Sequence, residues 1–270
     1  MKLPRFVMPV TFLCACVAPL AQAQDKLGSP QQEHFRMSAG IFAADSTTAV
    51  RLDADNGDVG TPVNAELDLG LRDHSDAGDV EVETRIRERH RVRFTYFKLD
   101  REATRQLDRQ ISFGNDVYEI DDVVSSRIDM RNFGLTYSYE ALHLDRAEAG
   151  LSFGINLVEI TAAAEVQARA IREEESRAGP TPTFGVHALL RITRRLHMDV
   201  RAEYMQLGID DFEGSVTSLF GSIVFRFNRN IGVGLGYKLL ETQVDSQGEG
   251  ETGNFTIENS GGVAFLRVTF

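Results

Sequence analysis

The chain has very little cysteine. Its only two cysteines, Cys14 and Cys16, lie in an N-terminal segment that we predict to be removed. The mature chain would then have no disulfide, no thiolate metal ligand and no cysteine nucleophile. A lipoprotein cleavage site at Cys16 is an alternative, but Cys14 occupies a position of that motif where a small aliphatic residue is expected.

The chain also lacks an excess of positive charge. It has 29 Lys and Arg against 40 Asp and Glu, a formal net charge of −11. Binding to nucleic acid depends on neutralising phosphates, so we expect no nucleic-acid partner. After Leu20 no apolar stretch reaches the roughly 20 residues of a spanning helix, so the chain can cross a membrane only with strands.

The first 23 residues have the pattern of a signal peptide. Lys2 and Arg5 precede an apolar stretch that runs to Leu20, and Ala21 and Ala23 form a small-x-small cleavage pattern. We predict that residues 1–23 are removed and that residues 24–34 form a short periplasmic segment. An uncleaved anchor is the alternative, but the apolar stretch is about 15 residues, too short for a spanning helix.

Most of the remaining chain alternates apolar and polar residues with a period of two. In residues 196–204 every second residue from Leu196 to Tyr204 is apolar, and the residues between them are polar or ionisable. This period indicates strands with one apolar and one polar face, whereas a helix would repeat every 3.6 residues. The predicted strands are 35–45, 80–87, 91–101, 123–141, 147–163, 183–192, 196–208, 215–227, 231–240 and 256–270.

The connections between these strands alternate in length. Short polar turns near residues 88–90, 143–146, 194–195 and 228–230 alternate with longer, mostly acidic stretches. This pattern predicts an all-β, antiparallel, up-and-down barrel of ten strands, with eight or twelve strands as alternatives. Residues 47–55 and 62–71 would add a hairpin or extend the first two strands, and residues 44–78 would be a long loop whose role stays open.

The last strand resembles the terminal strand of bacterial outer-membrane β-barrels. Leu266, Val268 and Phe270 occupy alternate positions, and Phe270 is an aromatic residue at the end of the chain. The resemblance extends to small barrels of the outer-membrane protein A and W types and to porin-like proteins, and it covers residues 35–270. It implies a transmembrane barrel in the outer membrane, with Leu266, Val268 and Phe270 read by the barrel assembly machinery.

A soluble lipocalin-like barrel would show the same alternation with its apolar face turned inward. The signal peptide, the terminal Phe270 and the alternation of short turns with long loops favour the membrane barrel. The chain departs from the class in having no tryptophan, so tyrosine and phenylalanine must form any interfacial aromatic belt.

In a membrane barrel the polar face of each strand lines the interior. We predict that His187, Arg191, Asp199, Arg201, Glu203, Lys238 and Arg267 line the lumen. Further charges on the same face are Glu81, Glu83, Glu140, Arg85, Arg87, Arg91, Arg93 and Arg226. This set contains more bases than acids, so one interpretation is a weakly anion-preferring pore, and the other is an ion-pair network that fills a narrow barrel.

The sequence leaves the function open between a small diffusion channel and a closed structural or surface-binding barrel. The acidic outer loops of a closed barrel would contact lipopolysaccharide, envelope proteins or host molecules. We expect no enzymatic activity, because the histidines have no Ser or Asp partner at a recognisable spacing. We predict no catalytic residues, no cofactor and no metal site.

Overall fold

The computed structural model describes residues 33–54, 56–166, 171–209, 212–248 and 251–270. The predicted signal peptide and nearly all of the predicted periplasmic segment lie outside these residues. The described part contains no helix that is long and apolar enough to cross a membrane.

The described residues form one closed antiparallel barrel. Ten long strands form the ring, and β13 pairs with β1 to close it. The pairing of Arg36 with Thr269 through to Leu52 with Gly253 runs along nearly the whole of both strands. The ring strands are β1 (Phe35–Leu52), β3 (His74–Arg87), β4 (His90–Gln106), β7 (Val123–His143), β8 (Ala147–Val166), β9 (Ile171–Arg191), β10 (Leu196–Ile209), β11 (Phe212–Arg226), β12 (Ile231–Gly248) and β13 (Glu251–Thr269).

The predicted ten-strand barrel is confirmed, and the alternatives of eight and twelve strands are wrong. The two ends of the barrel differ. Four short turns, at 88–89, 144–146, 192–195 and 227–230, join strands at one end, which we call the short-turn end. The long connections, including the small strands β2 (Val63–Asn64), β5 (Ile111–Phe113) and β6 (Asp116–Tyr118), lie at the other end, the long-loop end.

The apolar face of the strands points outward. Leu151, Phe153, Ile155 and Leu157 on β8 are all exposed, whereas Glu148, Ser152, Asn156 and Val158 on the same strand are buried. The barrel therefore has an apolar outside, as a protein in contact with lipid requires, and a largely polar inside. The soluble lipocalin-like alternative would need the reverse arrangement.

The strands extend further toward the long-loop end than the sequence predicts. Residues 171–182 and 241–248, which the alternation leaves in loops, belong to β9 and β12. The exposed apolar side chains form a belt around the barrel, which we call the apolar band. Residues 171–182 and 241–248 lie beyond this band toward the long-loop end. A strand has no lipid-facing side there and therefore no apolar alternation. The pattern detects the membrane-facing part of each strand and not its end.

Beyond the apolar band the ring divides at two places. The β3–β4 ladder ends at Gly78 and Lys98, while β4 continues to Gln106 with β7 as its only ladder partner. The β9–β10 ladder ends at Phe184 and Tyr204. The outer parts of the strands therefore form two separate sheets, one containing β4, β7, β8 and β9 and the other containing β10, β11, β12, β13, β1 and the first residues of β3.

Two prolines occur next to the second division. Pro180 and Pro182 lie on β9 directly beyond its last pairing with β10, where β9 has only β8 as a neighbour. Proline has no N–H to donate to a ladder, and it is typical of strands with a free edge. The sequence Pro-Thr-Pro is therefore a local reason for the end of the β9–β10 ladder.

Candidate functional site: the filled interior of the barrel

The interior next to the short-turn end is filled with charged side chains, which we call the charged layer. Its charged side chains come from every ring strand except β9 and β12 and from Glu33, which lies just before β1. Its arginines are Arg36, Arg85, Arg91, Arg93, Arg201, Arg226 and Arg267. Its carboxylates are Glu33, Glu81, Glu83, Glu140, Glu148, Asp199 and Glu203.

Each arginine of the charged layer has a carboxylate partner. Arg36 binds Glu33 at 2.9 Å and Glu83 at 3.2 Å. Arg201 binds Glu81 at 2.6 Å. The other pairs are Arg85 with Glu140 and Glu148, Arg93 with Glu203, Arg226 with Glu33, and Arg267 with Asp199. Because arginines and carboxylates are equal in number, the charged layer has no net charge.

Arg91 links the largest group in this network. It lies 2.8 Å from Glu83 and also binds Glu140 and Glu148, and all three of these contacts cross between strands. Arg85 binds the same two glutamates from β3. A buried carboxylate is costly unless it is paired and hydrogen-bonded, and the two arginines together meet that need.

One group in the described residues has the composition of a metal site. Ligand atoms of Glu140, His143 and Glu148 lie within 4.8 Å of one another. Both carboxylates, however, already accept hydrogen bonds from Arg85 and Arg91. Two guanidinium groups at the same oxygens would repel a cation, so the group is better explained as part of the ion-pair network.

An aromatic layer lies next to the charged layer, on its side toward the long-loop end. We use this name for Phe42, Phe97, Phe220 and Phe265 together with Lys238. The rings of Phe42 and Phe97 meet edge to face at 6.0 Å, and the ammonium of Lys238 lies 4.8 Å from the centre of the Phe97 ring. Lys238 also pairs with Asp79, so this charge is neutralised too.

The glycines of β12 make room for the aromatic layer. A Cβ atom at Gly234 would overlap the ring of Phe265 on the neighbouring strand. A Cβ atom at Gly236 would lie 2.9 Å from the Cβ atom of Ser222. The alternating glycines 232, 234 and 236 therefore serve close packing inside the barrel, as the sequence indicates.

Residues 56–73, which we call the outer cap, fold over the long-loop end. Val63 pairs with Val50 of β1, and Val63, Ala65 and Leu71 are buried. Arg101 of β4 is fully enclosed and donates hydrogen bonds to Glu66 at 2.5 Å and to the hydroxyl of Thr48 at 2.6 Å. The first part of the predicted extra hairpin is thus an extension of β1, and the second part folds over the barrel.

Two cavities lie among the described residues. The cavity in the charged layer, lined by His187, Asp199 and Arg201 among others, has a volume of about 20 Å³, enough for about one water molecule. A larger cavity of about 290 Å³ lies where β3 and β4 separate, lined by Ser75, Asp100 and the neighbouring charged residues. The larger cavity is thus lined by residues of β3, β4 and β7 and by Arg72.

The residues predicted to line the lumen lie at different depths. His187, Asp199, Arg201, Glu203, Lys238 and Arg267 point into the barrel, in or next to the charged and aromatic layers. Arg191 lies at the end of β9, at the short-turn end. Glu33, Arg36, Asp79 and Glu148 also belong to the interior, and the sequence analysis did not include them.

These four residues were missed for simple reasons. Glu148 and Asp79 have the phase of the polar face of their strands, so extending the alternation by one pair of residues finds them. Glu33 precedes the first strand, and Arg36 lies on a strand with a less regular alternation. The apparent excess of bases in the sequence came from these omissions and from counting Arg87 and Arg191, which lie at the rim.

The residues of the predicted assembly signal form the seam of the barrel. Leu266 and Val268 pair with Ala39 and Met37 of β1. The N–H of Phe270 donates to the carbonyl oxygen of Phe35 at 2.9 Å, and the two rings lie 6.3 Å apart. The side chain of Phe270 is exposed on the outside.

His74 is the one histidine in the predicted outer loops. Its Nδ1 lies 2.9 Å from a carboxylate oxygen of Asp45, and this hydrogen bond raises the pKa of the imidazole above its ordinary value. Both side chains are exposed on the outside of the barrel. The pair does not line either cavity.

No protein-family model matches the chain, and no curated protein matches it either. Solved structures do match. The outer membrane protease OmpT from Escherichia coli aligns with a TM-score of 0.58 at 9% identity, over 88% of this chain and 97% of that chain. Ail, the attachment invasion locus protein of Yersinia pestis, aligns with a TM-score of 0.34 at 8% identity, over 87% and 99% of the two chains.

The COG4313 outer membrane channel from Pseudomonas putida F1 aligns with a TM-score of 0.36 at 9% identity, over 92% of this chain and 99% of that chain. At these identities the similarity concerns the fold, and of these three alignments that with OmpT alone has a TM-score above 0.5. Together with the closed ring of ten strands and its apolar outside, this similarity shows that the chain has the fold of an outer-membrane β-barrel.

Proposed function

We propose that this protein is a closed, non-conducting barrel of the outer membrane that presents its long-loop end as a binding surface. The observation that carries the proposal is the filling of the interior. The charged layer, the aromatic layer and the outer cap follow one another along the barrel axis. In outer-membrane barrels the short turns face the periplasm, so the long-loop end would face outward.

The charge balance of the interior supports a closed barrel over an anion-preferring pore. A selective pore needs charges that stay available to a passing ion. In the charged layer each arginine is paired with a carboxylate, and Lys238 is paired with Asp79. Moving an ion through this layer would require breaking several buried ion pairs at once, which is costly in a low-dielectric interior.

The long-loop end offers a large, structured and charged surface. The outer cap and the hairpin of β5 and β6 are held in place by buried contacts, with Val63 packed in one cluster with Ile111 and Tyr118. We propose lipopolysaccharide, envelope proteins or host molecules as the partners of this surface. The barrel assembly machinery, which would read the strand that leads to Phe270, is the proposed partner during folding.

We include the absence of enzymatic activity in this proposal. The His74–Asp45 pair is solvent-exposed on the outer wall and lines neither cavity. The interior histidines lie among paired charges rather than in a cavity that could hold a substrate.

Single-channel recording in a planar bilayer tests the closed-barrel proposal. We expect the refolded mature chain to give no steady current steps, because an ion would have to pass the paired charged layer, the aromatic layer and the outer cap. A heat-dependent shift in gel mobility shows that the same sample is folded, and an open porin refolded in the same way shows that the assay detects current. Steady, ion-selective current steps from the folded chain would contradict the proposal.

A further inference from the structure

We propose that the short-turn end carries a ring of arginines that binds the headgroups of anionic phospholipids in the inner leaflet of the outer membrane. We call this ring the arginine rim. It consists of residues 86–90, 142–146, 191–195 and 227–230, which are the four short turns and their flanking positions. Its arginines are Arg87, Arg89, Arg146, Arg191, Arg194, Arg195 and Arg229.

The charge of the arginine rim is opposite to that of the chain as a whole. The chain has a net charge of −11, but the only carboxylates within the arginine rim are Glu88 and Asp145. Seven arginines against two carboxylates leave this end of the barrel strongly positive. Such a local reversal of charge points to a negatively charged partner on this side of the protein.

The rim arginines also differ from the arginines of the charged layer in their partners. Within the described part of the chain, none of the seven guanidinium groups of the arginine rim forms an ion pair or side-chain hydrogen bond. Further inside the barrel, Arg85, Arg91 and Arg226 are all paired with carboxylates. The rim guanidinium groups are therefore available to a ligand.

Exposed apolar side chains accompany these arginines in every turn. Ile86, Leu144, Ile192 and Phe227 are each more than half exposed, and each lies within two residues of a rim arginine. An apolar side chain beside an arginine suits the boundary of a bilayer, where the first enters the acyl region and the second binds phosphate. A purely aqueous partner would give no reason for the exposed apolar residues.

The four turns are distributed around most of the barrel. The ring order places the β3–β4, β7–β8, β9–β10 and β11–β12 turns one after another around the circumference. Because each turn carries at least one arginine, the positive charge follows the short-turn end around the ring from β3 to β12 at a single level. This arrangement fits a layer of lipid headgroups around the protein better than a single docked macromolecule.

The lipid selectivity of the reconstituted protein tests this proposal. The refolded chain is placed in phosphatidylcholine bilayers with a trace of spin-labelled phosphatidylglycerol or spin-labelled phosphatidylcholine. Electron spin resonance then gives the fraction of each lipid that is immobilised at the protein. We expect phosphatidylglycerol to be preferred by about threefold to tenfold at low salt, and the preference to fall toward unity in about 0.5 M salt.

A matched pair of variants assigns the effect to the arginine rim. The rim variant carries Arg87→Gln, Arg89→Gln, Arg194→Gln and Arg195→Gln. The control variant carries Arg72→Gln, Lys98→Gln, Arg127→Gln and Arg131→Gln, which removes the same charge near the long-loop end. We expect the rim variant to lose most of the preference and the control variant to keep it.

Several outcomes would overturn the proposal. These are no preference in the wild-type protein, an equal loss in both variants, or a preference that salt does not reduce. Rim-dependent sedimentation of the protein with purified peptidoglycan, without lipid selectivity, would assign the arginine rim to that polymer instead. Gel mobility shows whether each variant is folded, and Arg194→Gln with Arg195→Gln is the smaller variant if the fourfold change prevents folding.

Discussion

The arginines of this protein show how strongly the position of a residue decides what it does. Arg91 is buried and binds three glutamates, whereas Arg87, four residues earlier, is exposed and has no partner among the described residues. The two residues lie on opposite sides of one short turn. Burial makes the first arginine part of the fold, and exposure leaves the second available to a ligand.

This difference predicts unequal effects on stability. Replacing Arg91 by methionine leaves buried carboxylates without their partner, which costs about 3–5 kcal/mol. We expect Arg91→Met to lower the denaturant midpoint of the folded band in a heat-modifiability assay. Arg87→Met, the matched control, should leave the midpoint nearly unchanged, and equal midpoints for the two variants would show that the Arg91 network does not stabilise the barrel.

At the scale of strands, the sequence predicts the membrane-facing parts well. All ten strands follow from the alternation, because lipid outside and a polar interior impose opposite demands on successive residues. The alternation weakens on β1 because the inward side chains Phe42 and Ala44 belong to the buried apolar cluster. The apolar interior therefore hides the alternation of polar and apolar residues on β1.

The outer ends of the strands could not be predicted in the same way. Beyond the apolar band, both sides of a strand meet water or other protein, so the residues at successive positions no longer differ in polarity. The strands still pair there through backbone hydrogen bonds, and these bonds require no particular order of polar and apolar residues. Pro180 and Pro182 are an exception, since they mark the edge of β9 in the sequence itself.

Packing between β12 and β13 gives a prediction about a single strand pair. A Cβ at Gly234 would overlap the ring of Phe265, whereas a Cβ at Gly221, on the outside of β11, would meet no atom within 4 Å. We expect Gly234→Ala to destabilise the barrel by about 1–3 kcal/mol, and Gly221→Ala to have little effect.

Denaturant midpoints of the two glycine variants check this prediction. A double-mutant cycle with Phe265→Ala makes the test specific, because the added cost of Gly234→Ala should largely disappear once the ring is absent. An unchanged cost in the Phe265→Ala background would mean that the Phe265 ring is not what requires glycine at this position.

At the scale of the whole molecule, the balance of charges was the least predictable feature. The sequence shows how many bases and acids share the polar face, but not which of them lie within reach of each other. Arg93 pairs with Glu203 across 110 positions of the chain, and Arg267 pairs with Asp199 across 68. Only the closed ring brings these residues together, so the neutral charged layer is a property of the barrel and not of any strand.

The division of the outer end into two sheets predicts a gradient of hydrogen exchange. From Leu99 to Gln106, β4 is paired with β7 alone, so alternate N–H groups lack a ladder partner. We expect about half of these amides to exchange faster than the amides of residues 91–98, which have strands on both sides. β13 provides the control at a similar height, because residues 253–260 pair with both β1 and β12. Peptides from this part of β13 should stay protected, and equal protection of β4 and β13 there would contradict the two-sheet arrangement.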